Sequence, residues 1–457
     1  MRVRITPGGT LRGAVRVPGD KSIAHRWLIL SATARGRSRL VGLPASLDVR
    51  SMAACLAKVS ERGRPSLEAW SRNASDAGEG HGSTWNEDPR QVASSTLEVE
   101  GEGRSALVES TDEIDCGNSG TAMRLLAGTL SAAPFRSVLS GDASLSTRPM
   151  ERVAIPLRAM GATVKTAQGH APVEIHGGPL YGISYDLPVA TAQVKGAILL
   201  AAAAAEGVTV VREPAPTRDH TERALAALGA PVSVEGSTVT LQGIYQHEAF
   251  EGTVPGDLSS AAFLVAAAAL TRSELTILGV GLNPSRVHFL AVLERMGVRV
   301  EVRAHGEELG EPVGDLWVAP DAALVGTEVS AEELPLVIDE VPVLALIATH
   351  ARGETWFSGA AELRAKESDR LSGVAAGAAA LGGHAAVEGD DLVVPGLGLR
   401  GGTADARGDH RLAMAFAVAA LAADAPCEIE GMEAAEVSFP GFLGTIRALG
   451  ASVEILT

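Results

Sequence analysis

The sequence predicts an α/β protein of two or more domains, built from a repeated unit. Short runs rich in Val, Ile and Leu alternate with Ala-rich stretches of helical length, and Gly and Pro separate them. The chain has 457 residues, which is enough for more than one hydrophobic core. Only 4% of its residues are aromatic, while 51 are Gly, so the cores must be formed by small aliphatic side chains in close contact.

The strand candidates are short and are flanked by turn residues. The N-terminal residues 1–5 alternate between polar and apolar side chains, which is typical of a strand. Further candidates occupy residues 96–99, 163–166, 208–212, 231–234, 238–242, 299–303 and 392–394.

A similar helix start recurs six times along the chain. Each begins with small, polar or acidic residues and continues into an apolar, mostly Ala-rich helix. They lie at 20–26 (DKSIAHR), 118–124 (NSGTAMR), 191–195 (TAQVK), 257–261 (DLSSA), 339–342 (DEVP) and 409–413 (DHRLA). Asp, Asn and Thr are favourable N-cap residues. The pattern predicts six similar units, three per domain. Helix N-termini that faced a shared cleft would form an anion site, although ordinary capped helices would give the same pattern.

Residues 61–95 interrupt this alternation of predicted strands and helices. They are rich in Gly, Ser, Asn, Arg and acidic residues, and we find no apolar period in them. We predict an exposed insertion between a helix and the strand at 96–99, with partial packing of Trp70 or Trp85 as the alternative.

Composition excludes several classes of function. A net charge of −16 argues against nucleic-acid binding, which requires a basic surface. Cys55, Cys116 and Cys427 form no C-x-x-C pair, and the eleven histidines form no H-x-x-x-H pattern, so we expect no disulfide and no metal. No phosphate-binding loop of the G-x-x-x-x-G-K-[ST] type occurs. The N-terminus lacks a signal-peptide core, and apolar runs such as 197–205 are too short to span a bilayer, so we expect a cytoplasmic protein without a membrane segment.

Cations cluster beside the helix starts and in polar turns. Arginine binds carboxylates and phosphates through two parallel hydrogen bonds, and lysine supplies a compact charge that can exchange a proton. Together they favour a multiply anionic ligand, although each alone would be a solvated surface charge. They are Lys21, Arg26, Arg124, Arg148, Lys195, Arg218, Lys366, Arg370 and Arg411.

Five phrases in this order resemble the 5-enolpyruvylshikimate-3-phosphate (EPSP) synthases. They are 18–22 (PGDKS), 117–124 (GNSGTAMR), 148–150 (RPM), 366–370 (KESDR) and 409–411 (DHR). The resemblance extends from Gly8 to Phe442 and is interrupted mainly by 61–95. It implies two domains of inside-out α/β-barrel type, with three units each. It also implies a first domain at 20–254, a discontinuous second domain at 1–19 and 255–457, and an active site in the cleft between them.

The resemblance also implies the reaction and the residues of the site. The enolpyruvyl group of phosphoenolpyruvate would be transferred to the 5-hydroxyl of shikimate 3-phosphate, with no cofactor. Contacts to shikimate 3-phosphate would come from Lys21, Ser22, Arg26, Thr191, Ala192, Gln193, Thr217, Arg218, Asp339 and Lys366. Contacts to phosphoenolpyruvate would come from Lys21, Asn118, Gly120, Arg148, Gln193, Arg370 and Arg411, and Thr121 and Arg124 are further predicted substrate contacts. Other members carry a lysine where this chain has Val437, before Ser438-Phe439-Pro440.

The chemistry requires groups that move protons. The methylene carbon of phosphoenolpyruvate gains a proton, the 5-hydroxyl attacks C2, and loss of phosphate and of a methyl proton restores the enol. We expect Asp339 and Glu367 to act as acid and base, with Lys21 as proton shuttle. Without the resemblance, Asp339 would be read as a helix cap and Glu367 as a surface residue.

Two other functions fit parts of the pattern. The related UDP-N-acetylglucosamine enolpyruvyl transferases usually carry a reactive Cys five residues before the Arg-Pro pair, where this chain has Ala143. A non-catalytic anion-binding protein of the same architecture would not need Lys21, Asp339 and Glu367 together. The resemblance further implies a monomer that glyphosate inhibits at Gly120.

Overall fold

Strands and helices alternate along the part of the chain that the structure describes. The computed structural model describes residues 1–76, 95–321 and 323–456. The strands are β1 (Arg2–Thr6), β2 (Gly13–Arg16), β3 (Arg35–Leu43), β4 (Ser95–Glu102), β5 (Ile114–Asp115), β6 (Arg136–Ser140), β7 (Thr163–Ala167), β8 (His170–His176), β9 (Ser184–Asp186), β10 (Val208–Arg212), β11 (Val232–Glu235), β12 (Thr238–Gln242), β13 (Glu251–Thr253), β14 (Leu275–Gly281), β15 (Val300–Glu308), β16 (Glu311–Val318), β17 (Glu328–Val329), β18 (Glu354–Phe357), β19 (Ala386–Glu388), β20 (Asp391–Pro395), β21 (Gly402–Asp405), β22 (Cys427–Glu430) and β23 (Ser452–Ile455).

The helices follow the same order. They are α1 (Lys21–Thr33), α2 (Leu47–Val59), α3 (Arg64–Asp76), α4 (Gly120–Leu130), α5 (Glu151–Ala159), α6 (Ala192–Ala202), α7 (His220–Ala227), α8 (Leu258–Leu270), α9 (His288–Arg295), α10 (Leu334–Val337), α11 (Val341–Ala348), α12 (Arg370–Ala380), α13 (His410–Ala420) and α14 (Phe442–Ala448). The strand candidates at 208–212 and 238–242 are confirmed, and the others are confirmed with ends that differ by up to five residues.

The described strands form six sheets with one shared topology. In the sheet of β5 to β8, β5 lies parallel to β6, which pairs antiparallel with β8, which pairs antiparallel with β7. Four further sheets repeat this order, and the sheet of β13, β3 and β4 repeats it without the last strand. A parallel pair needs a crossover connection. The Ala-rich helices α4, α6 and α13 are the crossovers of three sheets, so each predicted unit combines a buried helix with a sheet.

The six predicted helix starts are confirmed as the starts of α1, α4, α6, α8, α11 and α13. These helices lie inside, with the sheets around them. In α8 the residues from Leu258 to Ala269 are all buried, as expected of a helix that is apolar on every side. In α4, Gly128 permits close contact with α6, because a Cβ there would lie 2.1 Å from the Ala197 carbonyl oxygen.

The buried apolar side chains of the described residues form two separate cores. The first core contains α1, α4 and α6 and draws on residues 23–254. The second core contains α8, α11 and α13 and draws on residues 3–17 and 258–451. The chain passes between the cores at two adjacent points. There the Asp20 amide donates to the Pro255 carbonyl at 2.7 Å, and the Asp257 amide donates to the Pro18 carbonyl at 2.8 Å.

The expectation of an exposed insertion at 61–95 is wrong for its first part. Residues 64–76 form α3, and the Leu67 and Trp70 side chains, spaced by three residues, are buried in the first core. The surrounding residues are polar, so the sequence pattern did not reveal this single apolar face. Residues 77–94, including Trp85, lie outside the described residues. In the described chain no helix combines the length and the apolar composition needed to cross a bilayer.

Candidate active site

The starts of the buried helices lie where the two cores face each other. The polar residues at these starts have two kinds of contact. Asp20, Asp257 and Asp409 cap their own helices by accepting backbone N–H hydrogen bonds. Asn118 and Asp339 instead lie one residue before the N-cap positions, which Ser119 and Glu340 occupy. Their side chains are therefore free to make other contacts. Thr191 occupies the N-cap position of α6 without capping it.

Asp339 of the second core lies at the centre of the site. Its carboxylate pairs with Arg218 of the first core. It also lies 3.5 Å from Arg370 Nη1 and 3.5 Å from Arg411 Nη2. In addition, Arg411 Nη1 donates to the Asp339 carbonyl oxygen at 2.8 Å. Three arginines from both cores therefore surround one carboxylate, whose side chain is only 16% exposed.

The charge around Asp339 keeps it ionised. Burial acts to raise the pKa of this carboxyl, but four neighbouring cations outweigh burial and hold the pKa well below its usual range. These cations are Arg411, Arg218, Lys366 and Arg370. The structure therefore brings together five residues from four separate segments of the sequence.

Lys21, the first residue of α1, is held by an acid that we did not predict. Its Nζ lies 2.8 Å from Asp48 Oδ2 in the first turn of α2. Burial acts to lower the pKa of Lys21, but Asp48 and Glu367 outweigh it and raise the pKa above its usual value. Lys21 is therefore a protonated ammonium at neutral pH.

Glu367 belongs to the second core, and its negative charge acts on Lys21 of the first core. Its Oε2 lies 2.5 Å from Arg370 Nη2. Burial acts to raise the pKa of Glu367, but Arg370, His410 and Lys21 hold it well below the usual range. The side chain is still 35% exposed, so water reaches this carboxylate.

Polar side chains form two clusters near α4, and the first cluster lies at the start of this helix. Asn118 accepts a hydrogen bond from Arg148 Nη2 at 2.6 Å and donates one to Asp142 Oδ2 at 2.7 Å. Gly120 lies between two guanidinium groups, because a Cβ there would be 2.9 Å from Arg124 Nη1 and 3.3 Å from Arg148 Nη1. The predicted contacts Asn118, Gly120 and Arg148 therefore lie together.

The second cluster joins α4 to the start of α6. Arg124 Nη1 donates to the Gln193 side-chain oxygen. Gln193 Nε2 donates in turn to Thr121 Oγ1 at 2.9 Å. Burial, together with Arg148 and Arg152, lowers the pKa of Arg124 to about 10. Arg124 and Arg148 donate to the uncharged amide oxygens of Gln193 and Asn118, so these two cations are suited to binding an anion.

The loop before α7 carries Thr217 and Arg218 and is anchored by buried ion pairs. Thr217 Oγ1 donates to Glu213 Oε1. Glu213 Oε2 lies 2.7 Å from Lys195 Nζ, which also lies 2.6 Å from Glu222 Oε1. The side chains of Lys195, Glu213 and Glu222 are each at most 4% exposed. Lys195 is thus a buried structural cation.

Arg26 in α1 is buried and extends toward the same loop. It donates through Nε to Thr221 Oγ1 at 2.7 Å and through Nη1 to the Ser22 carbonyl at 2.7 Å. His25 connects α1 to α4, since its ring nitrogens lie 2.6 Å from the Lys21 carbonyl and 3.3 Å from Ser119 Oγ. Burial lowers the pKa of His25 to about 4, so the ring is neutral at pH 7.

The second core orients its arginines through Asp409, the N-cap of α13. Asp409 Oδ2 accepts from Arg370 Nε at 2.8 Å and from Ser368 Oγ at 2.9 Å, while Oδ1 accepts from the Arg411 amide at 2.8 Å. Lys366 follows the 3-10 turn Ala360–Ala365 and contributes charge to Asp339. Val437 ends the 3-10 turn Met432–Val437, which contacts α2 of the first core.

Sequence reasoning missed the acids that hold the predicted cations. Asp48, Asp142 and Glu213 orient Lys21, Asn118 and Thr217, respectively. Asp48 lies in the first turn of α2, while Asp142 and Glu213 lie in loops just after β6 and β10. No local signal separates such an acid from a solvated one, because its partner lies elsewhere in the sequence.

Comparison with known proteins decides the family. A sequence profile described as EPSP synthase (3-phosphoshikimate 1-carboxyvinyltransferase) matches residues 5–68 and 87–446. This chain belongs to the EPSP synthase family. The 3-phosphoshikimate 1-carboxyvinyltransferase of Halorhodospira halophila is 48% identical over 456 residues, covering 99% of this chain and 97% of the relative. The protein of the same name from Acidithiobacillus ferrooxidans is 44% identical over 455 residues, covering 99% of both chains.

Solved structures agree with this assignment. The EPSP synthase of Acinetobacter baumannii superimposes with a TM-score of 0.83 at 38% identity, covering 99% of this chain and 100% of that one. The enolpyruvyl transferase NikO of Streptomyces tendae gives a TM-score of 0.72 at 22% identity, covering 99% of this chain and 98% of that one, and so shares the fold. The expected enolpyruvyl transferase fold, with two domains of three similar units each, is confirmed.

Proposed function

We propose that the cleft around Asp339 transfers the enolpyruvyl group of phosphoenolpyruvate to the 5-hydroxyl of shikimate 3-phosphate and releases phosphate. The observation that carries this proposal is the carboxylate of Asp339, which Arg218, Arg370 and Arg411 surround from both cores. Two anionic substrates and one hydroxyl nucleophile require such a mixture of cations with one acceptor. Membership of the EPSP synthase family supports the same reaction.

Shikimate 3-phosphate binds on the first core, at the starts of α1 and α6 and in the loop before α7. Arg218 and Thr217 contact its phosphate, while Thr191 and Ala192 contact the ligand at the start of α6. Thr191 has a side chain that does not cap its helix, which supports this placement. Lys21, Ser22, Arg26, Gln193 and Lys366 complete the contacts, and Asp339 accepts from the 5-hydroxyl.

Phosphoenolpyruvate binds between the start of α4 and the arginines of the second core. Asn118, Gly120 and Arg148 form one side of this place, with Thr121, Arg124, Gln193 and Lys21 beside them. Arg370 and Arg411 form the other side. The negative charges of the substrate's carboxylate and phosphate then neutralise these cations. The same fixed cations stabilise negative charge on the departing phosphate.

The protonation states support one assignment of the proton transfers. Lys21 is protonated and delivers a proton to the methylene carbon of phosphoenolpyruvate, so that C2 becomes electrophilic. Asp339 is ionised and accepts the 5-hydroxyl proton as that oxygen bonds to C2. Glu367 then takes a proton from the new methyl group, and the C2–O bond to phosphate breaks. The Glu367 proton returns to Lys21, and the Asp339 proton leaves with phosphate.

Arg218 connects substrate binding to the basicity of Asp339. While Arg218 pairs with it, Asp339 is a weak base, because the cation stabilises the ionised form. The phosphate of shikimate 3-phosphate competes for Arg218 and weakens that ion pair. Binding of the acceptor substrate therefore raises the basicity of the carboxylate that must deprotonate it.

The two cores mark the two domains, with boundaries near residues 19 and 255. The paired backbone at Gly19 and Gly256 supports these boundaries. The proposed enzyme is a monomer, which the meeting of Arg218, Asp339 and Arg411 within one chain supports, and it acts in the cytoplasm. It uses neither nucleic acid nor membrane as a partner.

The test is to incubate the protein with both substrates in metal-free buffer and to measure the phosphate released and the mass of the product. We expect stoichiometric phosphate and a product heavier than shikimate 3-phosphate by one enolpyruvyl group. Activity only with UDP-N-acetylglucosamine as acceptor would contradict the proposal. Binding of both substrates without turnover would indicate a non-catalytic member.

A further inference from the structure

The hairpin of β15 and β16 belongs to the second core, yet its turn contacts the first core. Glu308 and Glu311 pair across the end of the hairpin, and Leu309 and Gly310 form the two-residue turn. Both turn residues have positive φ, 53° and 75°, which is the geometry of a type I′ turn. Leucine is rarely found in this conformation, because its Cβ approaches the backbone. An unusual residue at this position suggests that its side chain is needed there.

The turn fits closely between β13 and α7 of the first core. Leu309 packs against Gly252 of β13, where a Cβ would lie 2.2 Å from Leu309 Cδ2. On the other side, a Cβ at Gly310 would lie 2.9 Å from the Arg223 carbonyl oxygen and 3.0 Å from Ala227 Cβ in α7. Glycines at these two positions let the hairpin approach the first core.

A buried polar network follows directly after the turn. Glu311 Oε1 accepts a hydrogen bond from His220 Nδ1 at 2.7 Å, and Oε2 accepts one from Asn283 Nδ2 at 2.7 Å. The side chains of His220 and Glu311 are 1% and 2% exposed. A carboxylate buried so deeply needs its partners, so the pair fixes His220 firmly relative to the hairpin.

The network reaches the loop that carries Arg218. Asn283 Nδ2 also donates to Asp219 Oδ1 at 2.7 Å, and Arg223 Nε donates to Asp219 Oδ2 at 2.8 Å. Asp219 occupies the N-cap position of α7, and His220 is the first residue of that helix. The second core therefore contacts the two residues that follow Arg218.

We propose that Glu311 is a positioning residue for shikimate 3-phosphate binding, an inference that rests on the proposed function. Through His220 and Asn283 it fixes the start of α7 against the second core. This contact sets the position from which Arg218 meets either the substrate phosphate or Asp339. The role belongs to the hairpin turn, which reaches across from one core to complete a binding loop of the other.

The first experiment measures steady-state kinetics of Glu311→Gln beside Glu307→Gln, an exposed position on the same hairpin. A misplaced Arg218 loses a contact that both the bound substrate and the transition state make, so the KM should change more than kcat. We expect the KM for shikimate 3-phosphate to rise about tenfold in Glu311→Gln, the scale of one charged hydrogen bond. The KM for phosphoenolpyruvate at saturating acceptor should change less than about twofold.

A purely structural role would lower the melting temperature and leave both KM values unchanged. That outcome in a folded Glu311→Gln protein would overturn the proposal, as would an equal change in Glu307→Gln. Absence of turnover in the parent chain would instead contradict the proposed function, so the two failures are distinguishable.

Two further variants keep the proposal testable if Glu311→Gln folds poorly. His220→Asn and Glu311→Gln form a double-mutant cycle on the dissociation constant of shikimate 3-phosphate, measured by calorimetry. We expect the double variant to bind no more weakly than the weaker single variant, whereas additive losses would overturn the link. Gly310→Ala moves the turn away from α7 with Glu311 unchanged, and it should also raise the KM for shikimate 3-phosphate. An unchanged KM there would count equally against the proposal.

Discussion

Arg218 and Asp339 form an ion pair that joins the two cores across the cleft. Arg218 precedes α7 in the first core, and Asp339 lies just before α11 in the second, so they are separated by 121 residues. Because both belong to the proposed binding site for shikimate 3-phosphate, that substrate must compete with a contact already present. Substrate binding, the basicity of Asp339 and the relation of the two cores are therefore linked through one pair of side chains.

Removal of the carboxylate tests its role as the base. We expect Asp339→Ala to lower kcat by about 10²-fold or more, the scale of removing a general base. Asp186→Ala, at the exposed end of β9, is the matched control and should keep parental turnover. Near-normal turnover of a folded Asp339→Ala enzyme would exclude Asp339 from the mechanism.

The ion pair of Lys21 and Asp48 predicts a pH effect. Burial alone would lower the pKa of Lys21, and Asp48 raises it above 10.5. In Asp48→Asn only Glu367 still offsets burial, so the Lys21 pKa falls and the basic limb of the kcat profile should move to lower pH. Asp112→Asn, at an exposed turn, should leave the profile unchanged. If the basic limb of Asp48→Asn matches that of the parent, Lys21 is not the proton donor.

The same pair contributes to stability with a definite sign. The Lys21 pKa is higher in the folded chain than in the unfolded chain. Its contribution is therefore complete below about 10.5, the ordinary lysine value, and is lost as the pH rises through the folded value. We expect denaturant unfolding to show a smaller difference between the parent and Asp48→Asn above that range than at pH 8. A difference that stays constant to high pH would contradict this assignment.

Gly120 predicts the response to glyphosate, an analogue of phosphoenolpyruvate. A Cβ there would lie 2.9 Å from Arg124 Nη1 and 3.3 Å from Arg148 Nη1, and so would crowd the anion that both cations hold. We expect glyphosate to inhibit the parent, and Gly120→Ala to raise the inhibition constant and, less strongly, the KM for phosphoenolpyruvate. Gly178→Ala is the control, since a Cβ there has no neighbour within 4 Å. An unchanged inhibition constant in Gly120→Ala would contradict this placement of the analogue.

Helix α3 makes part of the 61–95 segment indispensable. Leu67 is fully buried, so Leu67→Ala should lower the free energy of unfolding by about 2–5 kcal/mol. Glu68→Ala, in the same helix, removes only an exposed contact to Arg72 and should cost less than about 0.5 kcal/mol. A linker that replaces 77–94 should preserve activity, whereas one that replaces 63–94 removes Leu67 and Trp70 and should impair folding. Equal behaviour of both linkers would show that α3 contributes little.

Ligands should also change the distance between the cores. Without Asp339, the cations Arg218, Arg370 and Arg411 would repel each other, and an open cleft lets water screen that repulsion. Because substrate anions favour the closed arrangement, we expect the radius of gyration to fall when shikimate 3-phosphate and an unreactive phosphoenolpyruvate analogue are added. Asp339→Ala without ligands should give a larger radius than the parent. Small-angle scattering that detects neither change would exclude ligand-driven closure.

Much of the fold could be predicted because its signals are local. A helix start is specified by a cap and by the apolar residues that follow, and all six predicted starts are helix starts in the structure. Strands such as 208–212 are bounded by turn residues within a few positions. Helix α3 was missed because only Leu67 and Trp70 mark its buried face, and polar neighbours dominate the composition there.

The sequence by itself determined the repeated α/β architecture and the family, and it predicted the cations of the proposed site together with Lys195, which the fold places in buried ion pairs instead. Only the tertiary structure decided what each polar residue at a helix start does. Asp20 and Asp409 cap their helices, whereas Asn118 and Asp339 bind arginines, although the four look alike in sequence. The physical reason is range: a cap bonds to an amide within three residues, whereas an ion pair depends on partners that only the fold brings near. The contact of Glu311 with His220, 91 residues away, is decided in the same way.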